Sequence, residues 1–167
     1  LITPPIPANE DERLYALARY DVLDSPPEES FDALTKLAAE LLGVPIALVS
    51  IVDAKRQWFK SRYGLEAPET PRELSFCGHV VAINAPLVVP DSLLDERFFD
   101  NPLVTGQPVV RSYAGMPLRT KDGFVLGTLC AIDHKPRDFS EKEQEILKTL
   151  SDQVIAHLEL RSQNQSL

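Results

Sequence analysis

The chain has 167 residues, 44% of them hydrophobic and 25% charged, which suits one globular domain with a proper core rather than two. A formal net charge of −8 argues against a nucleic-acid-binding surface, which needs clustered Lys and Arg. No apolar run reaches membrane-span length, no charged-then-apolar signal segment opens the chain, and the two cysteines form no disulfide framework (a single bridge stays open), so the expectation is a soluble, cytoplasmic domain.

Residues 1–9 (LITPPIPAN) are proline-rich and aperiodic and read as a tail or linker. The segment 10–24 is expected as a flanking helix, with Leu14, Leu17 and Ala18 on one face. Ser25-Pro26-Pro27-Glu28 has the pattern of a helix start, with Ser25 as cap, Pro26 at the first position and Glu28 closing a capping box. Phe31, Leu34, Ala38, Leu41 and Leu42 follow at helical spacing, and Gly43 is a natural stop.

Ile46–Val52 is a nearly continuous apolar run, the mark of a buried strand. Asp53–Arg56 is a turn, and Gln57–Tyr63 returns as a second strand. Residues 64–73 (GLEAPETPRE) read as a loop, Ser75–Ala85 as a short helix ended by Pro86, and Leu87–Val89 as a short strand. Residues 91–108 form a long connection with about one helical turn, and such connections often serve as binding lids.

The segment 109–134 (VVRSYAGMPLRTKDGFVLGTLCAIDH) is two extended runs joined by Lys121-Asp122-Gly123, a strong hairpin signal. On its second run Leu126, Thr128, Cys130 and Ile132 should point one way, and Val125, Gly127, Leu129 and Ala131 the other. Both sets are largely apolar, so this strand is expected to be central and covered on both faces, with a pocket on one of them. Gly127 in mid-strand suggests a close approach by another backbone or a ligand. Ser140-Glu141-Lys142-Glu143 is a further capping box, opening a helix to about Ser162 with Ile146, Leu147, Leu150, Val154 and Leu158 inward.

Tyr113-x-Gly115-x-Pro117-Leu118, a turn, and then GTLCAID (127–133) resemble the last two strands of a GAF domain. Val44–Phe59 is similar to that family's first hairpin, and SFCGH (75–79) and VVPD (88–91) fit its middle, so the resemblance runs from about Phe31 to Leu160. It implies an α+β, PAS-related fold: a central antiparallel sheet of five or six strands, helices 27–42 and 140–161 on one face and shorter segments over the other. The sensor domain would span 25–162 and include a signalling helix at 140–162. It also implies regulation in bacterial signal transduction. A small-molecule ligand would shift flanking helices that pair as a homodimer and act on a C-terminal output domain. That output would be a diguanylate cyclase, a cyclic-di-nucleotide phosphodiesterase or a histidine kinase, hence a link to cyclic di-GMP signalling.

Cys77-Gly78-His79 is the most suggestive cluster, since a thiol and an imidazole this close suit a metal, a tetrapyrrole or a redox switch. A structural zinc site wants four ligands, and the chain has two cysteines and three histidines in all. Bilin-binding GAF relatives carry adjacent Cys-His, whereas Gly78 intervenes here, and the GAF-like free methionine sulfoxide reductases use several cysteines. The plain alternative is a buried small thiol beside a histidine bonded to nearby backbone. Trp58 and Tyr113 suit stacking on a planar ligand or simple packing. Phe98-Phe99 suit an anchor for the long connection or a cavity roof, and Asp91, Asp95 and Glu96 suit a solvated loop. Asp133-His134 reads as a turn, and the scattered signature of cyclic-nucleotide-binding GAF domains finds no clear place.

No glycine-rich phosphate loop, nucleophile elbow or zinc-protease motif is present, and no catalytic or metal residue is nominated. The expected pocket lining is Trp58, Phe76, Cys77, His79, Tyr113 and Met116, with no cofactor assigned. Two other readings compete. One is a ligand-free dimerisation scaffold, its cavity filled by its own side chains. The other is a thiol-based redox sensor or enzyme using Cys77.

Overall fold

A computed structural model describes the backbone of residues 1–166 and the side chains of residues 1–164. Six strands form one sheet: β1 (Ile46–Val52), β2 (Arg56–Tyr63), β3 (Glu69–Pro71), β4 (Leu87–Val89), β5 (Ser112–Arg119) and β6 (Val125–Asp133). Their order is β3-β2-β1-β6-β5-β4 and every pairing is antiparallel. The helices are α1 (Glu10–Tyr20), α2 (Glu29–Leu42), α3 (Phe76–Ile83), α4 (Pro102–Thr105) and α5 (Glu141–Ser166). The fold is α+β, with the hairpin β5–β6 near its middle. Among the described residues no helix is long and apolar enough to cross a membrane.

The two faces carry separate cores. Ala47, Val49 and Ile51 of β1, with Leu129 and Ala131 of β6, pack under α1, α2 and α5 through Leu17, Phe31, Ala38, Leu147 and Val154. Ile46, Leu48 and Val52 of β1, with Cys130 and Ile132 of β6, meet Phe76, Val80 and Val81 of α3 on the other face. This is the period-two alternation of a strand buried on both sides.

Two β-bulges change which side chain goes where. Ser61 pairs with Val49 and Phe59 with Ser50, which leaves Lys60 as the extra residue of β2. Leu118 pairs with Gly127 and Arg119 with Val125, so Leu126 is the extra residue of β6. The expected alternation therefore fails at that end of β6: Leu126 joins Leu129 under the helices, and Val125 joins Cys130 and Ile132. Gly127 meets its expectation of close approach, because a Cβ there would lie 1.8 Å from the Ser50 carbonyl oxygen.

The helix ends divide in the same manner. At α5 the capping box forms as read, the Ser140 N–H donating to Glu143 Oε1 at 3.0 Å and the Glu143 N–H to Ser140 Oγ at 3.1 Å. The box expected at Ser25–Glu28 does not form. Glu28 is the N-cap of α2 without a side-chain cap bond, and Ser25 Oγ donates to the Val22 carbonyl instead. A buried lysine draws both residues away: Lys60 Nζ donates to Ser25 Oγ at 2.8 Å and pairs with Glu28 at 2.5 Å. The expected loop 64–73 contains β3, a three-residue edge strand on β2, and α5 continues past Ser162 to Ser166. Residues 1–7 have no helix or strand but lie on the body of the protein: the Ile2 N–H donates to the Arg97 carbonyl and Pro4 is buried. A Cβ at Gly78 would come within 2.9 Å of the Pro4 ring.

Candidate functional site

On the α3 face lies a cavity of about 440 Å³. Its sheet side is built from alternate positions of three strands: Ile46 and Leu48 of β1, Gln57 and Phe59 of β2, and Cys130 and Ile132 of β6. Phe76 and Cys77, the first residues of α3, and Tyr113 of β5 close the deep end. The mouth is lined by Gly64 to Ala67 of the β2–β3 connection, Thr70 of β3, Leu103, Gln107 and Pro108 of the long connection, and Val110 and His134. Aliphatic and aromatic walls with a few amides and hydroxyls are the usual make-up of a small-molecule pocket.

The start of α3 is positioned by its own cap. Ser75 Oγ accepts from the Gly78 N–H at 3.0 Å and donates to the Arg72 carbonyl at 2.7 Å, which fixes the turn that aims Phe76 and Cys77 inward. Phe76 stacks on Phe98 with ring centroids 3.9 Å apart and tilts against Tyr113 at 5.1 Å. Phe98 is thus an anchor of the long connection, and Phe99 is half exposed. Asp91 caps the 3₁₀ turn at 92–94 and pairs with Arg111, and Asp95 pairs with Arg97, so these carboxylates hold the connection rather than face the cavity.

Cys77 is the polar centre of the deep end. Its sulfur lies 3.2 Å from the Tyr113 hydroxyl and 3.0 Å from Thr128 Oγ1. Cys130 and Ser50 are its further polar neighbours. Burial raises the Cys77 thiol, but the polar groups of Cys130, Ser50, Thr128 and Tyr113 act against it and bring the thiol down to about 6. Cys130, beside Cys77 and fully buried, is pushed well above the ordinary thiol value. Of the two sulfurs, Cys77 is the one whose surroundings favour the thiolate. Burial likewise raises the Tyr113 phenol, and the neighbouring cysteines add to the effect.

Of the six residues expected to line a pocket, the structure brings Phe76, Cys77 and Tyr113 together at the cavity. His79 is one turn along α3 and outside it. Its ring packs edge-on against Phe98 at 5.0 Å, and its Nε2–H donates to the Ile2 carbonyl at 3.1 Å. This is the backbone-bonded histidine of the plain alternative. Trp58 and Met116 are on the opposite face, in the core under the helices, because Gln57 and Phe59 take the cavity side of β2 and Tyr113 that of β5. Cys130, Gln57, Phe59 and His134 are among the lining residues that sequence reasoning missed. The alternation of β6 pointed to Cys130, since it shares a face with Thr128 and Ile132. Among the described residues no group of three or more His, Cys, Asp or Glu is placed to hold a metal ion.

The lining contains neither Lys nor Arg, and Glu66 is its one carboxylate. His134 is its one imidazole, and no Lys or Arg stands there to pair with a phosphate. The wall favours a ligand that is uncharged or cationic, with an apolar body.

Comparison with known proteins places these features in context. The GAF domain family model matches residues 26–158. A cyclic di-GMP phosphodiesterase of Pseudomonas aeruginosa is 39% identical over 166 residues, which is 98% of this chain and 28% of that protein. The chain therefore spans little more than a quarter of that relative. Among solved structures, the GAF domain of a phosphoenolpyruvate-protein phosphotransferase from Coxiella burnetii has a TM-score of 0.70 at 18% identity, covering 95% of this chain and 98% of its own. A free methionine-R-sulfoxide reductase from Neisseria meningitidis, solved with its substrate, has a TM-score of 0.66 at 18% identity over the full length of both chains. At these identities the two structures show a shared fold.

Proposed function

We propose, for a chain that belongs to the GAF domain family over residues 26–158, a sensing role in which the α3-face cavity binds a small molecule and the flanking helices pass the change to an output module. The observation that carries this reading is the cavity itself, about 440 Å³ of unfilled space with Gln57, Thr70, Gln107 and Tyr113 offering polar groups. A scaffold with a self-filled interior lacks such a space. The 39%-identical relative supports an output in cyclic di-GMP turnover, with a phosphodiesterase as the module regulated. The ligand class follows from the wall: neutral or cationic, planar enough for the slot beside Phe59, Phe76 and Tyr113, and carrying no phosphate.

Pairing of two copies belongs to the same proposal. Leu37 and Leu41 of α2 and Leu160 of α5 are exposed apolar side chains on the helices that would meet.

Native and denaturing mass spectrometry of freshly purified protein test the reading together. An added mass present in the native spectrum and absent after denaturation is expected, and the same native spectrum reports monomer or dimer. A bare native mass, joined to melting curves that no neutral or cationic aromatic compound moves, would overturn the sensing role.

A further inference from the structure

We infer that Cys77 and Cys130 form a reversible dithiol switch that responds to hydroperoxides, joining α3 to the centre of the sheet beneath the cavity. These are the only two cysteines in the chain, and both are free and buried. The fold draws them from distant parts of the sequence, one from the first turn of α3 and the other from the middle of β6, onto the wall of one cavity, where Cys77 Sγ lies 3.0 Å from Thr128, two residues from Cys130 on the same face of β6. Both line a cavity open to the surface, so a small uncharged oxidant has a route to them. Burial alone does not explain this arrangement, because an inert core thiol needs no polar partners. Cys77 has the Thr128 hydroxyl at 3.0 Å and the Tyr113 hydroxyl at 3.2 Å. Hydroxyl donors converging on a sulfur stabilise its thiolate, the reactive form. The imidazole two residues away is engaged by the Ile2 carbonyl, so the hydroxyls and not a histidine supply that stabilisation. Cys130, held as a thiol, is the natural resolving partner.

The chemistry is balanced with one hydrogen peroxide. The Cys77 thiolate attacks one peroxide oxygen and the O–O bond breaks. This leaves Cys77 as a sulfenic acid and releases hydroxide, which takes up the proton first lost by the Cys77 thiol and becomes water. The Cys130 sulfur then attacks the Cys77 sulfur. The S–S bond forms as the S–O bond breaks, and the departing hydroxyl takes the Cys130 proton as a second water. Two electrons pass from the pair of sulfurs to the peroxide. A dithiol reductant returns both thiols by exchange. In the disulfide the Cys77 sulfur can no longer share a thiol proton with Thr128 and Tyr113, so oxidation alters the polar end of the cavity as well as tying α3 down.

The test is intact-mass and peptide-mapping mass spectrometry of the whole chain treated with hydrogen peroxide under native conditions. The expected result is a loss of about 2 Da, reversed by dithiothreitol, with one cross-linked peptide pair containing residues 77 and 130. In Cys130→Ser the reaction should stop at a sulfenic acid trapped by dimedone on Cys77, and in Cys77→Ser no dimedone adduct should form. Unchanged mass of the native protein, or stepwise oxygen additions without the 77–130 cross-link, would overturn the proposal. The wild-type peptide map decides even if either variant fails to fold. None of these readouts depends on whether the cavity holds a ligand.

Discussion

His79 illustrates how one residue can be tied to the fold by its neutral state. Burial is the largest influence on its ring and pushes the pKa below 6.5; the Ile2 carbonyl acts upward, Arg97 downward and Asp95 upward. A histidine whose pKa is lower folded than unfolded binds its proton first in the unfolded chain. Its contribution to stability is therefore present above the unfolded value and is lost as pH falls through about 6.5 toward the folded value. Thermal melts between about pH 7.5 and 5 should show stability falling in that window, and His79→Gln should flatten that part of the profile. An unchanged slope in the variant would remove His79 as the cause. The site residues divide by what the sequence could encode. Cys77 was legible as the thiol of the Cys77-Gly78-His79 cluster, and Phe76 beside it at the start of the helix read over Ser75–Ala85. Trp58 and Met116 were misplaced because each face of β2 carries an aromatic side chain beside polar ones and each face of β5 a large side chain beside small ones, so composition gives the period of two but not its phase. The nearness of Cys77 and Cys130 was beyond reach, since it depends on α3 crossing β6.

At the scale of elements, β6 is held by a glycine that neighbouring backbone requires. Gly127 pairs with Ile51 of β1 and Leu118 of β5, and a methyl group there would sit 1.8 Å from the Ser50 carbonyl. Backbone in the middle of a sheet cannot step aside. Gly127→Ala should cost more than about 4 kcal/mol, read as loss of the cooperative urea transition or of soluble protein. A variant with near-native stability would show that the sheet can open there at little cost. The hairpin around Gly127 was the most legible element, because Asp122-Gly123 supplies the turn and Gly123 takes the expected left-handed φ of 89°. The bulge that redirects Leu126 was not legible. A one-residue insertion in register leaves no mark in a run where the residues on both sides are apolar.

Across the whole molecule, one carboxylate joins three parts of the chain. Glu28, at the start of α2, pairs with Lys60 of β2 at 2.5 Å and with Arg161 of α5 at 2.8 Å. Arg161 also donates to the Tyr20 and Asp21 carbonyls, and the Tyr20 hydroxyl donates to Glu159, so the end of α1 enters the same cluster. The Lys60 side chain is fully buried, and its two other bonds, to Ser25 and Pro26, carry no countercharge. Glu28→Gln should lower stability by about 2 kcal/mol, less than a fully enclosed pair because Glu28 is itself partly solvated. Hydrogen exchange should rise in the last turns of α5 with the sheet unaffected. Equal protection in both proteins would show that the apolar seam of α5 holds those turns without the pair.

Phe59 and Lys60 stand back to back at the β2 bulge, one touching the cavity and the next gripping the last helix through Glu28. The sheet between the two cores is here a single peptide unit thick. On the sensing role proposed above, an occupant that pushes Phe59 would twist that unit, and the twist would reach Arg161 after two ionic contacts rather than through the depth of a packed interior. On that role, the wire from cavity to helix runs through the strand residue that the register leaves over.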